Sequence, residues 1–158
     1  APEQSTGRCA GFREALADLP GVDVVAEQDA WLAPEAATVT ETILTRHPDL
    51  DLVWAANEGG AVGAVTAVRN TGKAGRVAVF GTDMSDQLAS FLLDPDNVLQ
   101  AVTGQAPFEI GRLALETAVK ALDGRPVEAA VHLPGILFTR AKPDDIVAYK
   151  ARIAELTR

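Results

Sequence analysis

The sequence predicts an α/β fold, a doubly wound parallel sheet with helices on both faces in three layers. Three observations predict it. Apolar periodicity switches repeatedly between strand-like runs and the three-to-four-residue repeat of amphipathic helices. The order that results, α-β-α-β-α-β-α-β-α-β-α, alternates strictly, as parallel strands joined by helical crossovers do. The runs "LDLVWAA" and "RVAVFG" are continuously apolar, the pattern of strands buried on both faces.

The elements follow in order. Arg8 to Leu19 reads as a helix, with Phe12, Ala15, Leu16 and Leu19 on one face. Ser5 and Thr6 are available as caps, and Pro20-Gly21 stops it. "VDVVAE", residues 22–27, has the β-branched content of a short strand. A second helix runs from about Pro34, a good first-turn residue, to His47-Pro48, with Val39, Ile43 and Leu44 as its apolar stripe. "LDLVWAA" is the next strand, residues 58–70 the next helix, and Gly72 closes it. "RVAVFG" then leads through Thr82-Asp83 to a helix from Ser85 to Leu93. "VLQAVTG" is a strand, Pro107 to Leu122 the longest helix, and Gly124-Arg125-Pro126 its breaker. "AAVHLPGILFT" is extended around Pro134-Gly135, and Pro143 opens a last helix with Ile146, Tyr149, Ile153 and Leu156 on one face.

Composition narrows the function classes. The 158 residues suit one compact domain, and 47% hydrophobic with 23% charged residues is ordinary globular usage. A net charge of −8, spread along the chain, argues against a nucleic-acid surface, which needs basic residues to neutralise phosphates. No apolar run approaches the roughly 18 residues that span a bilayer, and no signal-like start is visible. Cys9 has no second cysteine to pair with, and Cys9, His47 and His132 lack metal-ligand spacing, so no metal is expected.

In open α/β sheets ligands bind outside the carboxyl ends of the strands. Asn57-Glu58 follows "LVWAA", Asp83 follows "VAVFGT" and Gln105 follows "LQAVTG". Asn and Gln each offer a donor and an acceptor, and Asp accepts from two hydroxyls. With no Arg or Lys expected to converge on them, the three suit a neutral sugar or polyol better than an anion. Asn57 and Asp83 would equally serve as N-caps of the helices that follow, and Gln105 as a surface loop residue. Trp31 and Trp54 are large enough to stack on a sugar face, although Trp54 sits within a strand that the pattern buries.

Other chemistries fit less well. "NEGGAVG" is not G-x-G-x-x-G, and no G-x-x-x-x-G-K-[ST] is present, so no nucleotide cofactor is expected. Glu58 would repel a phosphate at that helix start. There is no G-x-S-x-G elbow. Glu58 and Asp83 could pair as the carboxylates of a glycosidase, but any acidic sugar site supplies such a pair.

Read together, "GRCAGFREAL", "HPDLDLVWAANEGGAVGAVTAVRNTGK", "VAVFGTDMS" and "VLQAVTGQAPFEIGRLALETAVKALDGRPV" resemble type I periplasmic binding proteins, most closely the ribose-binding, sugar-transporter branch. The resemblance runs from about Thr6 to Thr139 and keeps the motif order. It implies that Asn57, Asp83 and Gln105 hydrogen-bond sugar hydroxyls. It also sets Thr6 at the place of a ligand-contacting Arg of ribose binders, which makes Thr6 a fourth ligand position and argues against ribose itself. Arg8 matches a common family Arg and is expected to be structural or at the rim. Glu58 stands where Asp is usual, and Gly59-Gly60 replace bulkier residues.

Family members are roughly twice as long and close two lobes on the ligand, so residues 1–158 match a C-terminal lobe. The implied function is the solute-binding part of a sugar ABC transporter, periplasmic or extracellular and lipid-anchored in a Gram-positive. It would have no catalytic activity and would present its ligand to the membrane permease. The alternative is the effector domain of a lactose-repressor-like regulator, told apart by an upstream helix-turn-helix; a sensor subunit and a glycosidase using Glu58 and Asp83 are further rivals. The tail "FTRAKPDDIVAYK" leans toward the transporter. The Pro107–Leu122 helix is apolar nearly all round, with Ile110, Leu113, Ala114 and Ala118 on one stripe and Leu115, Val119 and Leu122 on another. The region 107–123 is therefore expected to pack on the other lobe or on a partner chain, as a homodimer or a swap.

Overall fold

The computed structural model describes residues 3–156. Six helices and four strands follow one another: α1 (Glu3–Ala17), α2 (Ala33–Arg46), β1 (Leu52–Trp54), α3 (Glu58–Asn70), β2 (Ala78–Thr82), α4 (Asp86–Leu93), β3 (Leu99–Gly104), α5 (Pro107–Leu122), β4 (Ile136–Thr139) and α6 (Pro143–Leu156). The sheet order is β1-β2-β3-β4. β1, β2 and β3 are parallel, so their carboxyl ends share one edge, while β4 runs antiparallel beside β3 with Ile136 opposite Gly104.

Side chains alternate across the sheet as the strand period requires. Val79, Val102 and Phe138 point to the helical side and are buried there with Ala64, Val65 and Val68 of α3, Leu88 and Leu92 of α4, and Ile146 of α6. α2 lies on α3 and adds Leu44. Glycines make the close approach possible. A Cβ on Gly63 would lie 2.6 Å from the Ala33 carbonyl and 2.6 Å from the Ala36 Cβ, and one on Gly59 would lie 2.4 Å from the Trp31 carbonyl.

At the far end of the sheet Arg69 ties α3 to the α4–β3 turn. Its Nε donates to Asp96 at 2.5 Å and its Nη2 to Asp94 at 2.5 Å, while the guanidinium lies 4.4 Å from the Phe91 ring centre. Arg140, just past β4, donates to the carbonyls of Phe91, Leu99 and Asp94 at the same turn.

The α/β class holds, with four corrections to the sequence reading. First, the sheet is mixed: after α5, residues 123–135 make an extra pass and deliver β4 from the carboxyl-end edge. A parallel strand would need to enter from the opposite edge. Second, "VDVVAE" is not a strand. Val22, Val24 and Val25 are exposed, β1 is the sheet edge, and β-branched content yields a strand only where a ladder partner exists. Third, β1 is accordingly not buried on both faces, and Leu52 is exposed. Fourth, α1 begins at Glu3, so Ser5 and Thr6 lie inside its first turns instead of capping it, where helical N–H groups lack intrahelical partners anyway. Among the described residues the second sheet face is only partly covered. Phe12 of α1 stacks on Trp54, ring centres 4.3 Å apart, whereas no residue of α5 is buried.

Candidate ligand site at the strand ends

Asn57 follows β1 and caps α3: its backbone is extended and its Oδ1 accepts from the Gly60 N–H at 3.0 Å. Its Nδ2 donates to the Trp31 carbonyl at 3.1 Å. One amide proton and one lone pair remain for a ligand. The capping reading of Asn57 therefore holds alongside any binding role.

Asp83 follows β2 and differs. Ser85, not Asp83, caps α4, accepting from the Leu88 N–H at 3.3 Å. Asp83 instead takes the left-handed conformation, φ 69°, which costs a non-glycine residue energy and turns its carboxylate along the edge. Arg8 of α1 grips it with two parallel bonds, Nη1 to Oδ2 and Nη2 to Oδ1, both 2.7 Å. Arg8 Nη1 also donates to the Ala56 carbonyl at 2.8 Å. Gln105, after β3, donates from Nε2 to Asp83 Oδ1 at 2.6 Å.

The edge thus joins three strand ends and one helix. Asn57, Asp83, Glu58 and Gly59 line a shallow pocket of about 300 Å³ with Trp31, Leu32 and Ala33. Trp31 is 53% exposed there, an apolar surface beside the polar groups. Trp54 lies on the open sheet face, away from this edge.

The expectation that no Arg or Lys converges on these residues is wrong, because Arg8 does. The signal was the spacing: Arg8 is four residues before Phe12, hence one turn up the same helix face. Once Phe12 packs on the sheet, Arg8 must reach the strand ends. Thr6, the fourth expected position, is exposed on α1 and takes no part in these hydrogen bonds. Arg8 balances the Asp83 charge, so the pair is neutral while still offering charge-assisted hydrogen bonds. Such an edge suits hydroxyl groups.

Comparison with known proteins identifies the family. A model of the periplasmic binding protein domain matches residues 3–126. The chain belongs to the periplasmic binding protein family. It is similar to the ABC transporter periplasmic-binding protein YphF of Escherichia coli (strain K12), 32% identical over 84% of this chain and 41% of that protein. It is also similar to the ribose import binding protein RbsB of Bacillus subtilis (strain 168), 36% identical over 84% of this chain and 42% of that one. Among solved structures, an ABC transporter periplasmic solute-binding protein from Actinobacillus succinogenes 130z with bound D-allose superposes with a TM-score of 0.84. It is 30% identical, over 89% of this chain and 49% of that one. The chain thus has the fold of one lobe of a ribose-binding-like type I periplasmic binding protein, and it spans about two fifths of the length of the curated relatives it matches.

Proposed function

We propose that this chain is the C-terminal lobe of the solute-binding component of a sugar ABC transporter, holding one side of a small neutral sugar or polyol. The observation that carries the reading is the Arg8–Asp83–Gln105 chain of hydrogen bonds beside Asn57, a charge-balanced set of donors and acceptors at three strand ends. Asp83 Oδ2 and the free amide positions of Asn57 and Gln105 accept and donate to ligand hydroxyls, and Trp31 offers its exposed ring to the apolar face of the sugar. Specificity would arise once a second lobe closes over this half-exposed edge, where a ligand without the right hydroxyl would leave these groups desolvated and unmatched. Thr6, exposed on α1, would meet the ligand only from the rim.

The protein acts by binding, not catalysis. Asp83 accepts hydrogen bonds at both oxygens, which suits an anchoring acceptor better than one member of a glycosidase pair with Glu58. YphF of Escherichia coli and RbsB of Bacillus subtilis are named as an ABC transporter periplasmic-binding protein and a ribose import binding protein, which favours delivery to a membrane permease from the periplasm or the outer face of the cell.

Calorimetry against a panel of neutral sugars, an amino sugar and a uronic acid tests the reading. Heat is expected with neutral sugars and not with the uronate, whose carboxylate meets Glu58 in the pocket. Preference for the uronate, or release of hydrolysis products from a glycoside panel, would refute it.

A further inference from the structure

The Asp83 carboxylate hangs from a backbone that a non-glycine residue does not adopt unaided. A φ of 69° is kept only where the surroundings hold it in place. Two anchored peptide groups bracket that rotation. On one side the Asp83 N–H donates to the Thr103 carbonyl at 2.8 Å, which ties it to β3. On the other, the carbonyl of the next residue, Met84, accepts from the Tyr149 hydroxyl at 3.1 Å. Tyr149 belongs to α6, 65 residues further along the chain.

α6 gives that hydroxyl a fixed base. Ile146 is fully buried, and the Tyr149 ring meets Phe138 of β4 edge to face, ring centres 5.1 Å apart. Lys150, the next residue, donates to Asp86 Oδ1 at 2.6 Å and to Ser90 Oγ at 2.9 Å on α4. Burial, with the charges of Asp86 and Glu58 adding to it, pushes the Tyr149 pKa up, so the phenol keeps its proton and stays a donor.

The same packing reaches Gln105. A Cβ on Gly104 would lie 2.9 Å from Phe138 Cε2 and 3.0 Å from the Met84 Cβ, so Met84 and the Phe138 ring both close on the glycine. Gln105 follows Gly104 directly and donates to Asp83 Oδ1. The place of Met84 therefore sets how the ends of β2 and β3 face each other.

We propose that Tyr149 is a positioning residue for the ligand site: through the Met84 carbonyl it fixes the left-handed turn at Asp83 and so aims the carboxylate at Arg8, Gln105 and a sugar hydroxyl. The sugar hydroxyl rests on the function proposed above, whereas the aim at Arg8 and Gln105 does not. The effect runs through the backbone, since the Tyr149 hydroxyl is engaged by Met84.

Tyr149→Phe tests this, because it removes the hydroxyl and keeps the ring against Phe138. Ile146→Val is the matched control: it shortens a buried side chain of the same helix and loosens α6 without touching the hydrogen bond. Both variants are expected to keep the wild-type circular dichroism and to lower the urea midpoint slightly. In ligand-free nuclear magnetic resonance spectra, only Tyr149→Phe should shift the side-chain signals of Gln105 and Arg8. It should also speed exchange of the Asp83 amide by about 3- to 10-fold, as the loss of one hydrogen bond does. The neutral sugar that titrates the wild type should bind Tyr149→Phe more weakly by a similar factor and Ile146→Val unchanged. Unmoved signals in Tyr149→Phe, or the same shifts in Ile146→Val, overturn the proposal. Unchanged affinity in Tyr149→Phe beside shifted signals overturns it equally. If no neutral sugar titrates the wild type, the function proposed above fails, and the ligand-free signals alone decide whether Tyr149 sets Asp83.

Discussion

Arg8 organises the candidate site, because one guanidinium links α1 to the ends of β1 and β2 through Ala56 and Asp83. Arg8→Ala leaves a partly buried carboxylate without its main donor and is expected to cost about 1–3 kcal/mol in urea unfolding. Arg8→Lys keeps the charge but loses the two-pronged geometry and should recover only part of that loss. Asp96 makes a second residue-scale prediction. Burial alone would raise its pKa, but the hydrogen bonds from Arg69 and the Val98 N–H outweigh that and hold it below the usual carboxylate range. A depressed pKa in the folded state adds stability above the unfolded value, and the gain is lost as the pH falls through the folded one. Stability should therefore drop below about pH 4, and less steeply in Asp96→Asn, as read by urea midpoints across pH. Asn57, Asp83 and Gln105 were legible in the sequence because strand ends follow from periodicity. Arg8 was expected only as a structural or rim residue, because its grip on Asp83 depends on which way the Phe12 face of α1 turns.

At the scale of elements, the α2–α3 contact depends on small residues. A methyl on Gly63 would meet the Ala33 carbonyl and the Ala37 backbone nitrogen, which cannot rotate aside. Gly63→Ala is expected to separate the two helices and cost about 1–3 kcal/mol. Gly111→Ala on α5 has open space around the new methyl and should leave the urea midpoint unchanged or slightly raised. Equal losses in the two variants would remove the packing argument. The same contrast explains what the sequence revealed about elements. α3 and α5 match their expected spans and α2, α4 and α6 begin within a residue of theirs, since caps, prolines and apolar stripes are local signals. The direction of β4 and the fate of residues 22–27 depend on which strand edge the chain meets, and that is decided by tertiary pairing.

For the whole molecule, the central claim is that one edge of the sheet recognises a neutral sugar. Ligand sites of this kind bury most of the ligand, and this chain supplies a shallow pocket on one side only, so binding should be weak, roughly millimolar. The most direct measurement is therefore a nuclear magnetic resonance titration of the chain with neutral pentoses and hexoses, following the side-chain signals of Asn57, Gln105, Arg8 and the Trp31 indole. The account predicts saturable shifts at these four groups with at least one sugar, and their loss in Asp83→Ala. Shifts confined to the open sheet face around Trp54, or saturation that survives Asp83→Ala unchanged, would contradict it.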